Sequence, residues 1–176
     1  MYWQVINSSF PLVTPWLKVR KDRVKLPSGV VIPDFYVVEQ PDWVNVIAIT
    51  TNGDFIIEEQ YRHGIKKICF ELCAGVVEEG ESPIDSAKRE LLEETGYAGG
   101  EWEVLCESYP NTSGCSNKCY TFIATNVQKV KEQTLDKTEE IIVHRISENE
   151  IKVMMLDGRI SEAVMLAPLW RFFCKR

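Results

Sequence analysis

A chain of 176 residues has room for one domain, or one domain with an arm, and for a sizeable core. Hydrophobic residues make up 45% and charged residues 26%, the balance of a soluble globular protein rather than a disordered one. There is no run of about 18 apolar residues to span a membrane, and the N-terminal MYWQVINSSF lacks the basic and apolar regions of a signal peptide, so the expected address is the cytoplasm.

The net charge is −6, and its placement is informative. Residues 71 to 95 hold Glu71, Glu78, Glu79, Glu81, Asp85, Glu90, Glu93 and Glu94 against only Lys88 and Arg89, so this segment carries the whole excess. An acidic patch on a neutral body argues against nucleic acid as a partner. It points to a solvated face or to a site that holds cations. The cysteines are Cys69, Cys73, Cys106, Cys115, Cys119 and Cys174. The spacing of Cys69/Cys73 and Cys115/Cys119 invites a zinc reading, but both pairs fall in segments that read as strand, and reduced packing residues are the expectation.

In chain order, residues 1–16 carry Trp3, Pro11, Pro15 and Trp16 and read as an ordered arm rather than a regular element. VRKDRVKLPSGVVIPDFYVVE alternates around Pro27-Ser28-Gly29 and predicts a hairpin. VNVIAIT and FIIEEQY flank Asn52-Gly53-Asp54 and predict a second hairpin. KKICFEL, EVLCESY, CYTFIAT and EIIVHRI are further strands. Ser82 caps a helix that has Pro83 in its first turn, Ile84, Ala87 and Leu91 on one face, and Gly96 as its stop. Ser147 opens a second helix through Met155, and a third covers 161–174, where Pro168 should kink or interrupt it. Many antiparallel strands with few helices make the fold class α+β.

Glu90, Glu93 and Glu94 share a face near the end of the Ser82–Thr95 helix, where they repel one another and the negative end of the dipole. A solvated helix end is one account. The loop before it, with Gly75, Gly80 and three more acids, favours another, because a hard divalent cation takes carboxylate oxygens and bridges them to phosphates.

From Gly75 to Tyr97 the chain reads G-x5-E-x7-R-E-L-x-E-E-x-G-Y, which resembles the Nudix box. The match takes in Gly75, Glu81, Arg89, Glu90, Glu93, Glu94 and Gly96 at the required spacing. The resemblance implies a Nudix α/β/α sandwich with a mixed sheet, and hydrolysis of a nucleoside diphosphate linked to another moiety with Mg²⁺, or alternatively Mn²⁺. It makes Glu90 and Glu94 the principal metal ligands, with Glu93 and the Ala74 carbonyl beside them. Arg89 orients those carboxylates, Glu81 is a weaker, outer-shell metal ligand, and Gly75 and Gly96 are structural.

The flanking EEQYRHGIKKICFELCAGVVEEGE resembles the ADP-ribose and ADP-sugar pyrophosphatase branch. That likeness puts Arg62 on the substrate's phosphates or ribose and Glu71 in the site; a surface arginine and a structural ion pair are the competing readings. It makes Glu139, with Glu140 second and Glu93 in support, the general base, against an exposed acid at a strand start. Trp16 would stack on adenine or serve as a hydrophobic anchor, and Trp43 and Trp3 are lesser candidates. The branch often works as homodimers with exchanged arms, so residues 1–40 are expected to form an arm and hairpin for dimerisation and adenine binding, and 41–176 the hydrolase domain. Cys73 departs from the branch, which has proline there. The loop YPNTSGCSNKCYTF has asparagine and lysine where the branch often places an acidic pair. Other substrates in view are GDP-mannose, a dinucleoside polyphosphate or a damaged nucleotide, and a sensor that binds nucleotide sugars without cleaving them is a further alternative.

Overall fold

The computed structural model describes residues 2–15 and 17–175. Two compact units divide the chain, the first reaching Pro41 and including Tyr109–Lys118, the second comprising Asp42–Ser108 and the chain from Cys119 onward.

The first unit is an antiparallel sheet of β1 (Gln4–Val13), β2 (Lys18–Lys25) and β3 (Val31–Glu39), in that order. Its β2–β3 turn is the expected one: Gly29 takes φ 89°, and the Leu26 amide donates to the Val30 carbonyl at 2.9 Å. The expectation that the opening residues lack regular structure is corrected, since Gln4–Val13 pairs along β2. Pro11 is tolerated because β1 is an edge strand, and register shifts at Val5/Asn7 and Ser9/Leu12 absorb the misfit. Trp3 packs edge-on against Phe35, with ring centroids 5.6 Å apart. Tyr109–Lys118 attaches to β3, where the Val38 amide donates to the Gly114 carbonyl at 2.7 Å.

The second unit follows from alternation in its strands: β4 (Trp43–Thr50), β5 (Phe55–Arg62), β6 (Lys67–Glu71), β7 (Cys73–Val76), β8 (Tyr97–Ala98), β9 (Glu101–Ser108), β10 (Cys119–Lys129) and β11 (Ile141–Ile146). β4 and β10 run parallel and their other pairings are antiparallel, so the sheet is mixed. Successive side chains take opposite faces. Val44, Val46, Ala48, Ile56, Phe122 and Ala124 join the cluster that contains Ala87 and Leu91. Ile47, Ile49, Phe55, Ile57 and Ile123 pack with residues of the two later helices. Helices therefore cover both faces in the expected α/β/α arrangement. KKICFEL forms the expected strand as β6, and at Leu72 the chain changes partner: β6 pairs with β5, and the next strand, β7, pairs with β4.

The helix α1 (Pro83–Glu90) starts at Ser82, whose hydroxyl accepts from the Asp85 amide at 3.3 Å. An α-helix as far as Thr95 is not what forms: Leu91–Thr95 is a π-helical turn, and it stops at Gly96 with φ 74°. The Thr95 hydroxyl donates to the Leu91 carbonyl, occupying an acceptor that the α-helical ladder would use. α2 (Glu148–Asp157) begins at the expected Ser147 cap and closes at Gly158.

α3 (Ala163–Cys174) contains Pro168 without interruption. A proline cannot donate to the carbonyl four residues before it, which here is Val164. The Asn45 side-chain amide from β4 donates to that carbonyl instead, at 2.8 Å. A partner distant in sequence thus removes the expected break. Among the described residues no helix is long and apolar enough to cross a membrane.

Candidate functional site

β7 and the end of α1 meet closely because Gly75 has no side chain: a Cβ there would lie 2.0 Å from Glu90 Oε1. Beside them opens a cavity of about 780 Å³. Ala74, Gly75, Glu90 and Glu94 line it together with Arg62, Asn45, Trp43, Glu162 and the loop residues Glu139 and Glu140.

Glu94, 6% exposed, accepts a hydrogen bond from the Ala74 amide at 3.2 Å. Burial pushes its carboxyl up to about 7; a Cys73 hydrogen bond opposes the shift, and the charges of Glu90 and Glu139 add to it. Burial also raises Glu90, against the pull of Arg89 at 2.9 Å, while Glu93 and Glu139 push it further up. Behind Glu94 lies Glu58, fully buried on the α1 face of β5 and raised well above the usual carboxylate range, by burial first and by Glu94 second. Neither Glu58 oxygen has a hydrogen-bond partner of ordinary geometry.

Converging buried carboxylates left short of positive charge are the donor set a divalent cation needs. The raised acids Glu90 and Glu94 at the cavity wall fit such an ion.

Arg89 works from outside this cluster. Its Nε and Nη2 hold Glu81 at 3.1 and 3.0 Å, Nη1 reaches Glu90 at 2.9 Å and Glu93 at 3.3 Å, and Nη2 also donates to the Val76 carbonyl. Ser86 donates to the second oxygen of Glu81 at 2.6 Å. Glu93 is 43% exposed and, like Glu81, lies off the cavity wall, so the structure brings together Glu90 and Glu94 but not all three glutamates.

Arg62 reaches the cavity, while Glu71 sits behind it, 1% exposed. Arg62 Nε lies 3.0 Å from both Glu71 oxygens and Nη2 lies 2.5 Å from Oε2; Gln60 adds a bond at 3.2 Å. Glu71 is thus a buried carboxylate held in an ion pair with the partly exposed Arg62. Trp43 lines the cavity; Trp16 lies outside the described residues.

The loop carrying Glu139 is fastened to the glutamate-bearing turn. The amides of Val130 and Lys131 donate to the Gly96 carbonyl at 2.9 and 3.3 Å, and that of Thr134 to Glu93 at 2.8 Å. Gln133 bridges the Glu94 and Ile141 carbonyls at 2.6 and 3.1 Å. Gly96 is required twice over, by its positive φ and because a Cβ would lie 2.1 Å from the Lys131 carbonyl oxygen.

Sequence reasoning missed Glu58, Gln60, Glu162 and Asn45. Glu58 had one signal: strand alternation places it on the same face as Ile56, where a second apolar residue would be ordinary.

The NUDIX domain family model matches residues 41–166, and the nucleoside diphosphate sugar hydrolase N-terminal domain model matches 3–38. Similar curated proteins include the methanol dehydrogenase activator of Bacillus methanolicus, 32% identical over 84% of this chain and 80% of that one. The ADP-ribose pyrophosphatase of Bacillus subtilis is 30% identical over 74% of this chain and 71% of its own length. The GDP-mannose pyrophosphatase of Pectobacterium atrosepticum is 32% identical over 52% of this chain and 48% of itself. A crystal structure of an ADP compounds hydrolase superposes with a TM-score of 0.88 at 18% identity, covering 99% of this chain and 94% of that one.

Proposed function

This chain belongs to the Nudix hydrolase family, and we propose that it is a Mg²⁺-dependent pyrophosphohydrolase cleaving ADP-ribose or a related nucleoside diphosphate sugar to a nucleoside monophosphate and a sugar phosphate. The observation that carries this reading is the pair Glu90 and Glu94, raised by burial at the wall of a cavity of about 780 Å³, a volume in the range of small-molecule sites. The names of the pyrophosphatase relatives, and the match of residues 3–38 to a nucleoside diphosphate sugar hydrolase segment, support the substrate class.

Glu90, Glu94 and the Ala74 carbonyl would hold Mg²⁺, with Mn²⁺ as the alternative. A bound divalent ion polarises phosphoryl oxygens and makes water a better nucleophile. Arg89 fixes Glu90 through a charge-assisted bond and keeps Glu81 and Glu93 at the periphery. Glu139 accepts the proton of the attacking water, and Glu140 is its nearest substitute. Arg62, whose Nε and Nη2 are committed to Glu71, offers Nη1 to the substrate's phosphates. Trp16 stacks on the adenine.

Residues 1–40 form the arm and 41–176 the hydrolase domain, a division supported by the two family matches. The sheet of the first unit supports a homodimer, since every described residue of β1 is exposed, including Val5, Ile6, Phe10 and Leu12. The six free cysteines support a reducing, cytoplasmic address.

The test is hydrolysis of a panel of nucleoside diphosphate sugars with Mg²⁺ and identification of the products, in wild type and Glu94→Gln. Nucleoside monophosphate and sugar phosphate are expected, with ADP-ribose turned over faster than GDP-mannose. The variant should lose more than the roughly 10–100-fold that loss of an outer partner costs. Turnover by Glu94→Gln near that of wild type would falsify the assignment, and a preference for GDP-mannose would move the substrate within the class.

A further inference from the structure

Glu58, Cys73 and Glu94 come from three elements, β5, β7 and the π-helical turn, and their side-chain donor atoms all lie within 4.8 Å of one another. Glu58 and Cys73 are fully buried and Glu94 is 6% exposed, so the cluster lies behind the cavity wall with Glu94 as its contact to the outside. An acidic group near a thiol is not by itself a site. Here neither buried Glu58 oxygen has a hydrogen-bond partner of ordinary geometry, its only neighbours for such a bond among the described residues being Glu94 and Cys73 of the cluster itself, in a position where buried polar atoms are ordinarily satisfied.

The chemistry of the donors narrows the ligand. A hard cation such as Mg²⁺ seeks an octahedron of oxygens and keeps waters. Two carboxylates and a sulfur in a water-poor recess instead suit a softer ion that accepts four ligands. Tetrahedral zinc, with bonds of about 2.0–2.3 Å, holds its donors roughly 3–4 Å apart, so a contraction of about an ångström would close this set around an ion. Two rotatable carboxylates can supply that movement.

We propose that Glu58, Cys73 and Glu94 form a binding site for one thiophilic divalent cation of the Zn²⁺, Co²⁺ or Cd²⁺ class, with water from the cavity as fourth ligand. As the metal–ligand bonds form, the Cys73 thiol proton and the protons held by the raised Glu58 and Glu94 carboxyls pass to solvent. No oxidation or reduction occurs. An ion seated there engages Glu94 from behind, so Zn²⁺ antagonises hydrolysis supported by Mg²⁺. That last consequence rests on the hydrolase reading; the site itself does not.

Co²⁺ titration of the metal-stripped full chain tests the site. A thiolate-to-cobalt charge-transfer band in the near ultraviolet is expected, saturating at one ion per chain. Cys73→Ser should abolish the band, Cys69→Ser should leave it unchanged, and Glu58→Gln should weaken Co²⁺ binding at least tenfold. A wild type without the band, or a band that survives in Cys73→Ser, overturns the proposal. Should Cys73→Ser lose its circular dichroism signature of folding, Glu58→Gln decides alone, and unchanged affinity there overturns it. Hydrolysis with Mg²⁺ in the absence of a band sinks this site only, whereas a band without hydrolysis sinks the hydrolase reading only.

Discussion

Gly75 matters for what it leaves empty. Its missing Cβ clears space for a carboxylate oxygen that would otherwise lie 2.0 Å away. Gly75→Ala must therefore push Glu90 aside or shift β7, and overpacking of this kind costs about 1–3 kcal/mol. Steady-state kinetics should show a loss of at least about tenfold in kcat, as a mispositioned ligand implies, with the circular dichroism spectrum intact. Full activity would remove Glu90 from the site. The same neighbourhood sets a pH dependence. Glu94 ionises near 4.5 in an unfolded chain and at about 7 when folded, chiefly through burial. The native state thus binds more protons across that window, and stability present below about pH 4.5 is lost as pH rises towards about 7. Glu58 is shifted in the same direction. Thermal melts in a chelator should fall along this window, while saturating Mg²⁺, which favours the ionised carboxylates, should flatten the slope. Equal slopes with and without the ion would count against cation binding at Glu94.

At the scale of elements, caps and turns were legible because their causes are local. Ser82, Ser147, Gly29, Gly53 and Gly96 act where their neighbours in sequence place them. The spacing from Gly75 to Gly96 likewise announced Glu90 and Glu94, since one loop and one helix carry it. What stayed hidden depends on partners distant in sequence. The isolation of Glu58 arises only when β5, β7 and the π-helical turn close over it. Pro168 read as a breaker because nothing near it announces that Asn45 satisfies Val164. Asn45→Ala should cost about 1–3 kcal/mol by orphaning that carbonyl. In a Pro168→Ala background the restored amide can serve Val164, so the same change should cost less by at least about 0.5 kcal/mol. A double-mutant cycle by urea denaturation measures the coupling, and strict additivity would show that the two residues act separately.

For the molecule as a whole, β1 is the element least accounted for by its own chain. Each of its residues is exposed, and Val5, Ile6, Phe10, Leu12 and Val13 crowd one strand. Apolar strands of this kind mark association surfaces. Light scattering on a sizing column should give twice the 20.2 kDa of one chain, and Phe10→Glu with Leu12→Glu should return the single-chain mass. A wild type that elutes as a monomer at micromolar concentration would end the dimer proposal.

The fastening of the Glu139 loop has a kinetic consequence. Thr134 is tied to Glu93, and Ile141 is tied through Gln133 to Glu94, so residues 135–140 form a tether held at both ends, with a contour of only about 20 Å. A carboxylate on so short a leash never leaves the vicinity of the cavity. Its effective concentration there stays in at least about the millimolar range, whatever excursion it makes. For the proposed role of Glu139 as base, recapture after each turnover would then be a first-order return rather than a search, with a delay that adds little to the cycle.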